Sequence, residues 1–239
     1  MDLTTPFHQC RNAPGRSKPM ETFTPKYDIL PPAQQKLWSL LAPTRDLHFT
    51  LYGGTAVALR LGHRQSVDFD FFSHLPLDTG GACLTESMPF LKRATVIQQA
   101  PNTISYMTPD NVKLSFFGLI SFGRVGEIDV TADGRLNVAS LTDLFATKLA
   151  VLLQRVEVRD YIDIATIIQA GCPLDVGIAA LNTLYGDTIP AAEVLRTITY
   201  FEGADFEPLS AELRRTLISA ASTCTFDRSP LPRRAATLD

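Results

Sequence analysis

Cysteine is scarce in this sequence: four residues in 239, at Cys10, Cys83, Cys172 and Cys224, with no CxxC pair among them. That spacing excludes a disulfide framework and a thiolate zinc site, and it fits a reducing, cytoplasmic setting. Histidine is equally sparse, and its four copies show no metal-ligand spacing. No run of about 18 apolar residues occurs, so neither a transmembrane helix nor a membrane partner is expected. Charge of neither sign dominates: 22 Lys and Arg stand against 25 Asp and Glu, a net of -3. A nucleic-acid partner would therefore have to be held by a local basic patch rather than by the whole field.

The opening "MDLTTPFHQCRNAPGRSKP" lacks the apolar core of a secretory signal. Polar and containing Pro and Gly, it reads as a disordered tail, taken to residue 25, with Met20 a candidate initiator beside Met1. The body is 45% hydrophobic with a mean hydropathy of +0.06, a globular balance at a length that buries a sizeable core.

Patterning divides that body in two. "PPAQQKLWSLLAPT" has proline at a helix start and apolar residues at helical spacing. "DLHFTLYGG" alternates like a strand, "TAVALRLG" predicts a short helix stopped by Gly62, and "SVDFDFF" predicts a second strand. A Gly-rich turn and a helix over residues 73 to 92 precede three β-like runs: "ATVIQQ", "NTISYMT" and "VKLSFFGLI". From Ser140 the pattern becomes helical, opened by Ser140 with Asp143 three residues on, a capping box. The expected fold is α+β, a mixed sheet flanked by helices and followed by a helical half. Its expected divisions are a tail over 1–25, a core over 26–139, a helical region over 140–222 completing the site, and a flexible tail over 223–239.

The chemistry concentrates in "GGTAVALRLGHRQSVDFDFF", residues 53 to 72. In a strand, Asp68 and Asp70 project from one face while Phe69 and Phe71 project from the other. Two carboxylates that close repel unless a cation sits between them. A hard ion such as Mg²⁺, which takes one or two carboxylates plus substrate phosphates, resolves the conflict; the plain alternative is an exposed strand face. Gly53 and Gly54 end a strand just before a helix, where backbone N–H groups meet an anion closely. Arg64 and Ser66 add a guanidinium and a hydroxyl suited to phosphate oxygens, although either could simply cap a turn.

This block resembles the first motif of the AbiEii/AbiGii-type nucleotidyltransferases of the polymerase-β-like superfamily, and the similarity runs from about Lys26 to residue 210. The resemblance implies a nucleotidyltransferase fold in which Gly53, Gly54, Thr55, Arg64 and Ser66 seat an NTP. It also implies that Asp68 and Asp70 bind Mg²⁺. The later stretch "LTDLFATKLAVLLQRVEVRDYIDI" is similar to the family's lysine and downstream aspartate, which carries over Lys148 as a phosphate contact and Asp163 as a site carboxylate. Read alone, Lys148 inside an apolar stripe either has a partner or snorkels to water, and Asp160 at a helix start fits an N-cap. Related enzymes often carry a third carboxylate on a neighbouring strand, and "VKLSFFG" offers Ser115 instead; Glu127 and Asp129 read as flanking a turn. The resemblance implies a toxin that moves a nucleoside monophosphate from an NTP to an acceptor hydroxyl, with the tRNA 3′ end as acceptor and an antitoxin as partner. Arg60, Arg64, Lys148, Arg155 and Arg159 are candidates for the basic patch such an RNA needs. The alternatives are a nucleotide-binding regulator that has lost transfer, and a plain interaction module.

Overall fold

Proline and buried apolar residues shape the entry to the domain. The computed structural model describes residues 22–78, 80–186, 189–202, 206–225 and 231–238. Residues 1–21, which make up most of the expected N-terminal tail and include Met1, Cys10 and Met20, lie outside the described residues, as do 226–230 and 239. Residues 22 and 23, assigned to that tail, instead form an edge strand, β1 (Thr22–Phe23). Pro32 starts α1 (Pro32–Leu37), where its missing N–H costs nothing, and Pro43 starts α2 (Pro43–Asp46) in the same way.

The expected first strand is shorter than its alternation suggests. His48 takes a positive φ of 59°, which breaks the extended run, so β2 spans only Thr50–Tyr52. The helix α3 (Gly53–Leu61) follows at once, and Gly62 ends it in the left-handed region, as its sequence predicts. Next come β3 (Asp68–Phe72), α4 (Ala82–Ser87), β4 (Thr95–Ala100), β5 (Thr103–Met107) and β6 (Lys113–Phe117). A hairpin of β7 (Asp129–Thr131) and β8 (Asn137–Val138) completes one mixed sheet in the order β1-β7-β8-β2-β3-β6-β5-β4. β3 lies inside it, antiparallel to β2 and parallel to β6.

The helical half begins at α5 (Leu141–Leu152). Its N-cap Ser140 accepts the Asp143 N–H and donates its hydroxyl to the Asp143 carboxylate at 2.7 Å, so the capping pattern forms as read. Nine of the 12 residues of α5 are buried, because α6 (Val158–Gln169) and α7 (Leu174–Tyr185) pack on it. The helices α8 (Ala191–Ile198) and α9 (Ala211–Thr223) close the outer layer. One apolar cluster runs from the sheet residues Leu51, Phe69 and Phe116 through Leu144 and Ile164 to Leu217. Among the described residues, no single helix is long and apolar enough to cross a membrane.

The expected C-terminal tail is corrected in part. Leu238 is buried, its carbonyl accepts from Thr50 Oγ1, and Arg124 bridges to Ala235, so residues 231–238 pack back onto the sheet.

Candidate active site

Asp68, Asp70 and Phe72 alternate with Phe69 and Phe71, and the pleat sends the two sets to opposite faces. Phe69 and Phe71 are fully buried, with Phe71 stacked on Phe116 at 5.3 Å between ring centroids. The two carboxylates are half-buried on the other face. Register extends that face sideways. Tyr52 of β2 stands opposite Asp70 on one side, and Lys113, Ser115 and Phe117 of β6 stand opposite Asp68, Asp70 and Phe72 on the other.

Gly53 opens α3 with φ at +72°, a conformation that L side chains rarely adopt. A Cβ there would lie 2.5 Å from Asp70 Oδ2, and a Cβ on Gly54 would collide with the Arg64 guanidinium. Positive φ fixes glycine at 53, and the two glycines together bring helix backbone against a carboxylate on one side and a cation on the other. Tyr52 supplies no side-chain cap. The first-turn N–H groups of Gly53, Gly54 and Thr55 therefore have neither an intrahelical nor a side-chain capping acceptor, and they sit at the positive end of the helix dipole. The Thr55 side chain has another role. It is buried, lies 2.7 Å from Ser66 Oγ and donates to the Asp68 carbonyl, tying α3 to the start of β3.

Behind this surface lies a buried ion cluster. Arg64 grips Asp163 with two N–H groups, Nε to Oδ1 at 2.6 Å and Nη2 to Oδ2 at 2.8 Å. His63 Nε2 donates to Asp163 Oδ1 at 2.7 Å, and Lys148 Nζ reaches Asp163 Oδ2 and Asp160 Oδ1 at 2.7 Å each. Arg155 Nε approaches Asp160 Oδ2 at 3.2 Å. Lys148 is therefore paired rather than snorkelling, with a side chain only 8% exposed. Asp160 is not an N-cap: Glu157 holds that position, and Asp160 faces Lys148 from inside the first turn of α6.

Two shifted acids mark the division of labour. Burial first, then the charge of Asp68, pushes the Asp70 carboxyl above its ordinary range, against the opposing pull of Lys113 and Lys148. Burial would push Asp163 the same way. Hydrogen bonds from His63 and Arg64, with the charge of Lys148, outweigh it and hold Asp163 well below the usual carboxylate range. Asp70 is a carboxylate short of cations, whereas Asp163 is saturated with them.

A cleft of about 390 Å³ lies over the site face. Gly53, Gly54, Arg64, Ser66, Asp68, Asp70 and Lys148 all border it, as their sequence positions suggest. Asp163, expected as a site carboxylate, is fully buried behind the cleft with both its oxygens occupied, where it positions Arg64 and Lys148. The Thr55 side chain is likewise outside the cleft lining. Arg60 is no part of the patch, since it pairs with Asp129 at 2.7 Å and donates to the Ala139 carbonyl. Asp129 opens β7, and Glu127 pairs with Arg124 and Arg234. Sequence reasoning missed Lys113, whose place in the cleft follows only once β6 is known to run parallel to β3.

Residues 36–227 match the family model described as "Nucleotidyl transferase AbiEii toxin, Type IV TA system". The chain belongs to the AbiEii family. Membership makes it a nucleotidyltransferase of a toxin family and implies a cognate antitoxin as partner. This AbiEii protein is 26% identical over 172 residues to "Uncharacterized protein aq_aa25" of Aquifex aeolicus (strain VF5), spanning 69% of this chain and 82% of that one. It is also similar to the crystal structure of an antigenic nucleotidyltransferase-like protein from Paracoccidioides brasiliensis, with a TM-score of 0.44 and 18% identity, over 73% of this chain and 94% of that chain.

Proposed function

We propose that this AbiEii protein is a cytoplasmic Mg²⁺-dependent enzyme that moves a nucleoside monophosphate from an NTP to an acceptor hydroxyl, with a tRNA 3′ end as acceptor. One observation carries the reading: Asp68 and Asp70 share a half-buried sheet face with the glycine-opened N-terminus of α3, and a Gly53 Cβ would meet the Asp70 carboxylate. The donor set suits the ion. Asp70 is raised by burial and by Asp68, and among the described residues no third His, Cys, Asp or Glu joins the pair, which leaves coordination positions for phosphate oxygens. When bound, Mg²⁺ would neutralise the two carboxylates and the charge developing on the phosphates.

The chain's own groups do the rest. First-turn amides of α3, with Arg64 and Ser66, hold the triphosphate; Lys148, fixed by Asp160 and Asp163, adds positive charge to the same wall. The acceptor oxygen bonds to the α-phosphorus, the α–β bridging bond breaks, pyrophosphate leaves with the electron pair, and the hydroxyl proton passes to water.

The observation favouring a binding-only regulator is Ser115, which stands opposite Asp70 where related enzymes carry an acid. Transfer of label from each of four α-³²P NTPs onto total tRNA, onto protein, or in the absence of RNA, beside an Asp68→Ala/Asp70→Ala double variant, separates the two. Label on RNA that vanishes in the variant supports transfer. Nucleotide binding with no label on any acceptor supports the regulator.

A further inference from the structure

We infer that the β6 flank of the cleft is a distinct acceptor subsite, in which Lys113 and Phe117 hold a single-stranded nucleic-acid 3′ terminus. The inference rests on the transfer reading above and adds which residues grip the acceptor and by what chemistry.

Strand order carries it. β3, with Asp68 and Asp70, lies between β2 and β6. The glycine turn follows β2 directly, and Arg64 and Ser66 gather against Gly54 on that flank. In-line displacement places the attacking and leaving oxygens on opposite sides of the α-phosphorus. With the leaving pyrophosphate at the start of α3, the attacking hydroxyl approaches over β6.

The β6 flank has the composition that such an acceptor needs. Lys113 stands opposite Asp68 and borders the cleft. Arg64, Lys148, Arg155 and Arg159 are each held by a carboxylate, whereas among the described residues Lys113 makes no ion pair. Its charge acts on Asp70 without a direct pair, which leaves the ammonium open to a phosphodiester. Two pleat repeats further along, Phe72 and Phe117 meet edge to face at 5.1 Å and 83°, both half-buried and both on the cleft. Phe72 packs face to face on Tyr52 at 4.8 Å, so Phe117 is the ring that takes a base; an aromatic ring in one groove with a cation is how proteins hold single strands, with bases stacked and phosphates paired. Between them Ser115 adds no negative charge to repel the strand.

The test measures binding of a short 5′-labelled single-stranded RNA by fluorescence anisotropy across a salt series, and separately binding of Mg²⁺ with a non-hydrolysable NTP. Lys113→Ala is expected to weaken RNA binding about tenfold and to reduce the log K against log [salt] slope by about 0.7. NTP affinity is expected to change less than RNA affinity, since the triphosphate sits on the other flank and Lys113 bears on that side only through its charge on Asp70. Lys113→Arg is expected to restore the slope, which guards against a merely misfolded variant. Phe117→Leu is expected to weaken RNA binding about fivefold with the slope unchanged, because stacking carries no counterion release. Loss of NTP affinity in Lys113→Ala with RNA binding intact would overturn the subsite, as would wild-type protein that binds Mg²⁺–NTP and no RNA. The latter leaves nucleotide transfer to another acceptor standing. RNA binding through Lys113 in a protein that transfers no label would support the subsite and overturn the transfer reading.

Discussion

Replacing Asp163 by Asn removes one negative charge from a place where an arginine and a lysine converge. Asp163 is fully buried and accepts from Arg64 twice, at 2.6 and 2.8 Å, from Lys148 at 2.7 Å and from His63 at 2.7 Å. The isosteric amide keeps the volume but turns one acceptor into a donor facing donors. Breaking a buried pair from one side costs about 3–5 kcal/mol, because the remaining charge is desolvated and unmatched. At about 2–4 °C per kcal/mol for a domain of this size, Tm should fall by roughly 6–20 °C. The pH dependence has a defined sign. Asp163 is held below its unfolded value, so the folded state binds fewer protons, and its contribution is complete above about pH 5. That contribution fades as pH falls below about 4, through the unfolded value and on toward the depressed folded one. Thermal unfolding of wild type and Asp163→Asn between about pH 2.5 and 7 should show a gap that is wide at neutral pH and narrows in acid. A gap under about 1 kcal/mol at pH 7, or one that does not narrow, would refute the view that Asp163 anchors the cluster.

Three further outcomes follow from the same geometry. Asp70→Asn removes a carboxylate whose ionisation is opposed by burial and by Asp68, so it should raise Tm at neutral pH while abolishing Mg²⁺-dependent nucleotide binding; scanning calorimetry with and without Mg²⁺–NTP checks both. Gly53→Ala forces a side chain into positive φ and against Asp70 Oδ2, and should cost about 1–2 kcal/mol by denaturant unfolding and eliminate label transfer. Truncation after residue 230 withdraws buried Leu238 and the bridge to Arg124, and should cost on the order of 2 kcal/mol in urea unfolding, where a free tail would cost nothing.

What could be read beforehand was local. Asp68 and Asp70 share a face because strand periodicity is two, and Ser140 caps α5 because its partner is three residues away; neither depends on the rest of the chain. The glycine turn was legible as a turn, but its reason, contact with Asp70 and Arg64, required the chain to fold back. The sequence offers Asp163 as a site carboxylate but not its burial, because its partners come from other elements: Arg64, which is 99 residues away, and Lys148 on α5. Asp160 fits a cap by sequence because helix starts are ambiguous by a few residues, and the observed cap is Glu157. Lys113 carried no local signal, since its neighbour Asp68 is set by a parallel register. Leu238 looks like part of a polar tail until its burial against the sheet is seen.

The central claim is that Asp68 and Asp70 jointly hold a divalent cation that meets a triphosphate seated at Gly53 and Gly54. A crystal of the wild-type protein grown with Mn²⁺ and an NTP carrying a non-hydrolysable α–β bridge tests it directly by anomalous scattering. The account predicts a peak between the two carboxylates, with phosphate oxygens on the metal and on the first-turn amides of α3. A triphosphate bound elsewhere, or a peak touching neither aspartate, would contradict it.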